Sequence, residues 1–223
     1  MDNNETSSEK NGDKNIVEVY KILKGQLIIM LTGLPGSNRK GHIEGLISLF
    51  KLKEIDIKNY VSEDKTENIS LPSGKVIKNY DSISIYNWDK INEDVDKYKK
   101  DGVLLWGIVI PDENLKFKPD FHIHIKISFK KYITNRHAFL KKRANDSDSD
   151  NNSDNNDNIL YNIIDTPDEK YLLENIISIN YYENLKKSTI QKFFNANEKT
   201  FDEIDQEIFD YLITKIDEYV HLN

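Results

Sequence analysis

Residues 26–31 (QLIIML) form a short, continuously apolar run that breaks into a glycine-rich turn, Thr32-Gly33-Leu34-Pro35-Gly36-Ser37-Asn38-Arg39-Lys40-Gly41. Directly after it, Ile43, Leu46, Ile47, Leu49 and Phe50 recur at helical spacing over residues 42–52. A strand apolar on both faces has to be covered on both faces, which is the situation of a parallel strand between helices. This strand–turn–helix unit therefore points to a layered α/β fold and excludes an all-β sandwich or a simple helical bundle.

The rest of the chain repeats the alternation. Residues 54–61 read as a second strand, and residues 68–80 hold two short extended stretches around Pro72-Ser73-Gly74, a hairpin signal. An amphipathic helix is expected over 88–99. The strongest strand of the chain, GVLLWGIVI, follows at 102–110 and is closed by Pro111. Residues 121–128 (FHIHIKIS) alternate strictly, with Ile123, Ile125 and Ile127 on one face. A basic helix at 129–143, helices at 167–177 and 181–187, and a strand-like segment at 188–196 come next. A long amphipathic helix at 200–219 ends the pattern. Thr200 is its N-cap, and Glu203 completes a capping box.

Two stretches have no periodicity. Residues 1–14 read as a disordered polar tail, and residues 144–158 (ANDSDSDNNSDNNDN) as a solvated acidic loop inserted in a single domain spanning 15–223. These stretches dilute the composition: of 223 residues, 38% are hydrophobic, and the net charge is −7. The heavy use of Asn, Ile, Lys and Asp is what an AT-rich genome imposes, as in some protists and large DNA viruses. The chain has no cysteine, which excludes a disulfide scaffold, a thiolate zinc site, an iron–sulfur cluster and a cysteine nucleophile. The longest apolar run, 103–110, is under half of the ~20 residues a membrane helix needs, and no secretory signal is visible. A cytoplasmic protein is expected (host cytoplasm or virion for a viral source), with no membrane partner. The negative charge argues against nucleic acid as a partner, because phosphate neutralisation dominates that affinity. Self-association is left open.

The glycine-rich turn sits where a phosphate-binding loop would. Backbone N–H groups in such a loop form an anion nest, the helix N-terminus adds positive potential, and a lysine bridges the phosphates. Against the pattern G-x-x-x-x-G-K-[ST], the stretch from Gly33 reads G-L-P-G-S-N-R-K. Asn38 takes the place of the second glycine, Arg39 that of the lysine, and Lys40 that of the magnesium-binding hydroxyl. A one-residue shift would make Lys40 the phosphate lysine, followed by Gly41 and His42 instead of a hydroxyl residue.

Further motifs give the chain a family likeness. Tyr60-Val61-Ser62-Glu63-Asp64 follows the second strand, and Asn79-Tyr80-Asp81 precedes Tyr86-Asn87-Trp88-Asp89. Leu104-Leu105-Trp106-Gly107 ends the central strand. Pro119-Asp120-Phe121 opens the next, and Arg136 through Arg143 lie in the basic helix. In order and approximate spacing, residues 25–220 resemble the uridine–cytidine kinase family of P-loop nucleoside kinases.

The resemblance implies a three-layer P-loop fold with a five-stranded parallel sheet, and ATP and Mg²⁺ as cofactors. It implies transfer of phosphate from ATP to a nucleoside, so that nucleotides and nucleosides are the small-molecule partners. Asp64 would be the general base and Arg136 a lid arginine on the transferring phosphoryl group. Asp81, with Tyr80, would hold the sugar. Gly33, Gly36, Ser37, Asn38, Arg39, Lys40 and Gly41 would cradle the phosphates. The chain departs from the family where Trp106 replaces an acidic residue that organises Mg²⁺, and no metal ligands are assigned. The alternative reading is a catalytically inactive kinase-fold module with a binding or structural role. His122 and His124 share a strand face at a spacing that would suit a metal, but without a third ligand they read as surface or packing residues.

Overall fold

The computed structural model describes residues 15–37, 39–147 and 163–223. The tail at 1–14, Asn38 and the insertion from residue 148 onward lie outside the described residues.

Five parallel strands make the central sheet: β1 (Ile28–Gly33), β2 (Lys53–Asp56), β5 (Val103–Gly107), β6 (Phe121–Lys126) and β7 (Lys192–Asn195). Their spatial order is β2-β5-β1-β6-β7. Strands β3 (Asn68–Ser70) and β4 (Val76–Lys78) form a separate antiparallel hairpin. In the sheet's centre Met30 pairs with Leu105 on one side and His122 on the other.

Every residue of β1 is buried, which accounts for its unbroken apolar run. Its two faces meet different helices. Leu27, Ile29 and Leu31 pack with Ile43, Leu46 and Phe50 of α2 (Arg39–Phe50) and with Ile204, Ile208, Leu212 and Ile216 of the last helix, α7 (Phe201–Leu222). Val17 and Tyr20 of α1 (Ile16–Lys24) join that layer. On the opposite face, Ile28 and Met30 pack with Ile91 and Val95 of α3 (Trp88–Tyr98). Each such aliphatic side chain contributes about 1.5–3 kcal/mol by leaving water. The architecture is α/β, a parallel sheet between two helical layers.

A third cluster joins Ile69, Leu71 and Ile77 of the hairpin to Leu34, to Tyr132 of α4 (Phe129–Ser147), and to Leu172 of α5 (Pro167–Leu172). Asp168, at the start of α5, accepts hydrogen bonds from the Ser73 amide and hydroxyl, fixing the hairpin tip. The hairpin is thereby held close to the loop that follows β1.

Several local expectations change. The strand expected over 54–61 stops at Asp56, whose carboxylate accepts the Lys58 amide and starts a 3-10 turn at Ile57–Tyr60. The strand expected over 102–110 stops at Gly107, although Val109 and Ile110 stay buried. Helix α4 runs through Ser147, so the first residues of the segment read as a loop are helical. The helices expected at 167–177 and 181–187 are continuous: α5 passes through a π-helical stretch, Leu173–Ile177, into α6 (Ser178–Lys186). Helix α1 went unanticipated, though its caps are readable: Asn15 accepts the Val17 amide, and Gly25 closes it at φ 74°. The Thr200–Glu203 capping box forms as expected.

Candidate functional site

The chain leaves β1 toward β2 at one edge of the sheet and leaves β6 toward β7 at the other. A crevice opens at the carboxyl ends of adjacent strands whose connections diverge in this way. A cleft of about 440 Å³ lies there, lined by Gly36, Ser37 and His42 on one side and by Lys131, Asn135 and Phe201 among others on the other.

The loop has a clear local cause. The Ser37 amide donates to the Leu34 carbonyl at 3.1 Å, with Pro35 and Gly36 as the central turn residues. Gly36 has φ +82°, the conformation that a Pro-Gly type II turn requires. Asn135 of α4 donates its amide to the Gly36 carbonyl at 2.8 Å, tying the basic helix to the turn. A Cβ at Gly41 would stand 2.7 Å from the Phe201 ring, so Gly41 serves helix packing.

Arg39 is 6% exposed, and its side chain turns behind the loop. Its Nη1 donates to the Gly33 carbonyl at 2.7 Å and to the Gly107 carbonyl, bridging the ends of β1 and β5. Burial lowers its pKa to about 10, and nearby Asp56 favours the charged form, so it stays cationic at neutral pH. Asp56, the last residue of β2, is itself pushed up by burial, a shift opposed by the Lys58 amide and by Arg39. Lys40 is exposed on the first turn of α2. Ser37 is 3% exposed, and its Oγ has no hydrogen-bond partner. His42 stacks on Phe201 with ring centroids 4.2 Å apart and bonds Asp205 at 3.2 Å.

Asp81 borders a second, small cavity of about 20 Å³ with Gly33, Pro35, Tyr181 and Asn184. Burial raises its pKa, and the nearby Arg136 guanidinium opposes that rise. Arg136 reaches Glu169 of α5, with Nε 3.6 Å from Oε1. Glu169 also accepts from the Asp165 amide and bonds His137 Nε2 at 2.9 Å. His137, Asp165 and Glu169 lie within 4.8 Å of one another. With Arg136 beside them, they form an ion-pair network that pins α4 to α5.

The structure thus brings Gly36, Ser37 and Arg39 together at one side of the sheet's carboxyl edge, and Asp81 with Arg136 next to it. Asp64 stands apart, exposed on a 3-10 turn (Glu63–Lys65). Tyr80 is exposed and donates to Glu63 at 3.2 Å. The β2 carboxylate electrostatically coupled to Arg39 is Asp56, which sequence reasoning missed. Its one available signal was its place as the final residue of a strand in a parallel sheet, where chemistry collects.

His122 and His124 are buried on β6 and committed to hydrogen bonds. Thr32 Oγ1 lies 3.1 Å from His122 Nε2 and 3.1 Å from His124 Nδ1. The outer nitrogens meet the Thr189 carbonyl and the Tyr181 hydroxyl, each at 3.0 Å. All four imidazole nitrogens are engaged, which leaves no ligand atom for a metal.

The residues suit a phosphate-bearing ligand better than a divalent cation. The cleft meets the N-terminus of α2 and presents a buried, unpartnered hydroxyl. Mg²⁺ takes oxygen ligands in octahedral geometry. Where the resemblance implies a hydroxyl and an acidic residue, the chain carries Lys40 and Trp106, whose indole donates to Glu54 at 2.9 Å. Asp56 remains as a carboxylate beside a guanidinium, and the magnesium site does not fit. Among the described residues, no helix is long and apolar enough to cross a membrane. Compared with protein-family models and with curated proteins, the chain matches no family and no protein.

Proposed function

We propose that the chain is a nucleotide-binding protein built on a P-loop nucleoside-kinase plan, which holds a nucleotide in the larger cleft and a nucleoside near Asp81 without efficient phosphoryl transfer. The observation that carries this reading is the commitment of Arg39. Transfer relies on a cation free to neutralise charge on the moving phosphoryl group. At the lysine position of this loop, the guanidinium is instead buried and bonded to the Gly33 and Gly107 carbonyls. The exposed Asp64 and the Trp106 substitution support the same reading.

Calorimetric titration tests it. ATP is expected to bind at sub-millimolar Kd, and Asp81→Asn to weaken uridine binding about tenfold with ATP affinity unchanged, the cost of one lost charged hydrogen bond. No heat with ATP at any concentration overturns the proposal. A second reading, an ATP-dependent uridine kinase-like enzyme, is favoured by one observation: a carboxylate, Asp56, ends β2 at the carboxyl edge of the sheet within the field of Arg39.

A further inference from the structure

We propose that His137, Asp165 and Glu169 form a site for one divalent transition-metal ion, Zn²⁺ by its donor set, that clips α4 to α5. The proposal does not depend on the nucleotide reading. His137 comes from α4, Glu169 from α5, and Asp165 from the turn that leads into α5. One ligand atom from each lies within 4.8 Å of the other two. One imidazole nitrogen and two carboxylate oxygens are the mixed donors that zinc takes, with water completing an open coordination shell. Mg²⁺ and Ca²⁺ take oxygen ligands instead.

Independent observations mark the ion-pair network as incomplete without a ligand. The Glu169 side chain is 4% exposed, yet its Oε1 has no hydrogen-bond partner, and Arg136 Nε stays at 3.6 Å from it. Arg136 Nε and Nη2 are also buried without partners. The Asp165 carboxylate stands 4.0 Å from His137 Nδ1, beyond hydrogen-bond reach. A buried polar network left partly satisfied is costly. Charge points the same way. Arg136 is shared between Glu169 and Asp81, so three carboxylates face one guanidinium, and a divalent ion would bring the group to neutrality.

The carboxylate is already oriented for the role. Glu169 Oε2 accepts from the Asp165 amide at 2.8 Å and from His137 Nε2 at 2.9 Å. On binding, the ion takes the place of the imidazole proton, which leaves to solvent, while the Asp165 amide goes on holding Oε2. Residues 138–164 separate His137 from Asp165, so the ion also closes a long loop.

The test is calorimetric titration of the full chain, stripped with EDTA and dialysed, with Zn²⁺. One site with a Kd of about 1 μM is expected, and Zn²⁺ at a hundredfold excess over Kd should raise the thermal midpoint by about 5 °C. His137→Gln and Asp165→Asn should each weaken Zn²⁺ at least about tenfold and remove the thermal shift. Asp165 is exposed, so its variant reports on binding even if His137→Gln is unstable. Co²⁺ should give the strong visible absorption of a low-coordinate site, lost in both variants. The absence of saturable Zn²⁺ binding overturns the proposal. So does unchanged affinity in either variant, which would mean that zinc scatters over other carboxylates of this acidic chain.

Discussion

Acidifying the protein from pH 7 to pH 5 is expected to remove about 4 kcal/mol of folding stability, carried by two buried imidazoles. His122 and His124 are held neutral by desolvation, which lowers their pKa to about 4 and about 3 against 6.5 in the unfolded chain. Asp112 and the Thr189 carbonyl oppose the shift at His122, while Arg39 and Lys126 deepen it at His124. The unfolded state therefore takes up protons first. Stability is full above the unfolded pKa and declines as pH falls through 6.5 toward the folded values. At pH 5 each group has lost about 1.5 units of linkage, or ~2 kcal/mol. His42, also lowered by burial, acts in the same direction. Asp56, Asp81 and Asp120 act oppositely, because burial raises their folded pKa, and they offset part of the loss as pH falls through their raised values. Urea denaturation at the two pH values measures the difference, and His124→Gln should reduce it by about half. Equal stability at pH 7 and pH 5 would show that these imidazoles are not buried neutral.

Replacing Arg39 by Met is expected to cost about 4 kcal/mol, the second-largest effect. Methionine approximates the stem of the side chain but leaves the Gly33 and Gly107 carbonyls without their donor. Each lost charged hydrogen bond is worth about 1.5–3 kcal/mol, and Asp56 loses the cation that opposes its desolvation. Arg39→Lys should recover part of the loss. A shift in urea midpoint equivalent to less than about 1 kcal/mol would mean the guanidinium does not hold the strand ends together.

Much of the architecture was readable because burial writes itself into the sequence. The QLIIML run is β1, buried along its length, and its full apolarity announced cover on both faces. The hairpin around Pro72-Ser73-Gly74, helix α3 and the capped start of α7 followed from turn, spacing and cap signals. What failed were ends set by single side chains. Asp56 caps a 3-10 turn and stops β2 early, and β5 ends at Gly107, whose carbonyl accepts from Arg39. The strict alternation of FHIHIKIS suggested one polar face. In the fold that face is buried, since Thr32, Tyr181 and the Thr189 carbonyl satisfy both histidines. These partners lie tens of residues away in the chain, beyond the reach of local pattern.

The candidate site was legible in the same uneven way. The loop from Gly33 and its following helix stood out by context, and Asp81 and Arg136 came from motif order. The direction of a side chain is a tertiary fact, however. Arg39 was expected toward phosphate and turns to backbone carbonyls, while Asp56 carried no motif and stands beside it.

Single-turnover transfer is the most direct test of the central claim. With protein in excess over γ-labelled ATP, Mg²⁺ and a panel of pyrimidine and purine nucleosides, the account predicts saturable ATP binding and no labelled nucleoside monophosphate. Labelled product that forms with any one nucleoside, and that Asp56→Asn abolishes, would contradict it and establish the chain as a kinase.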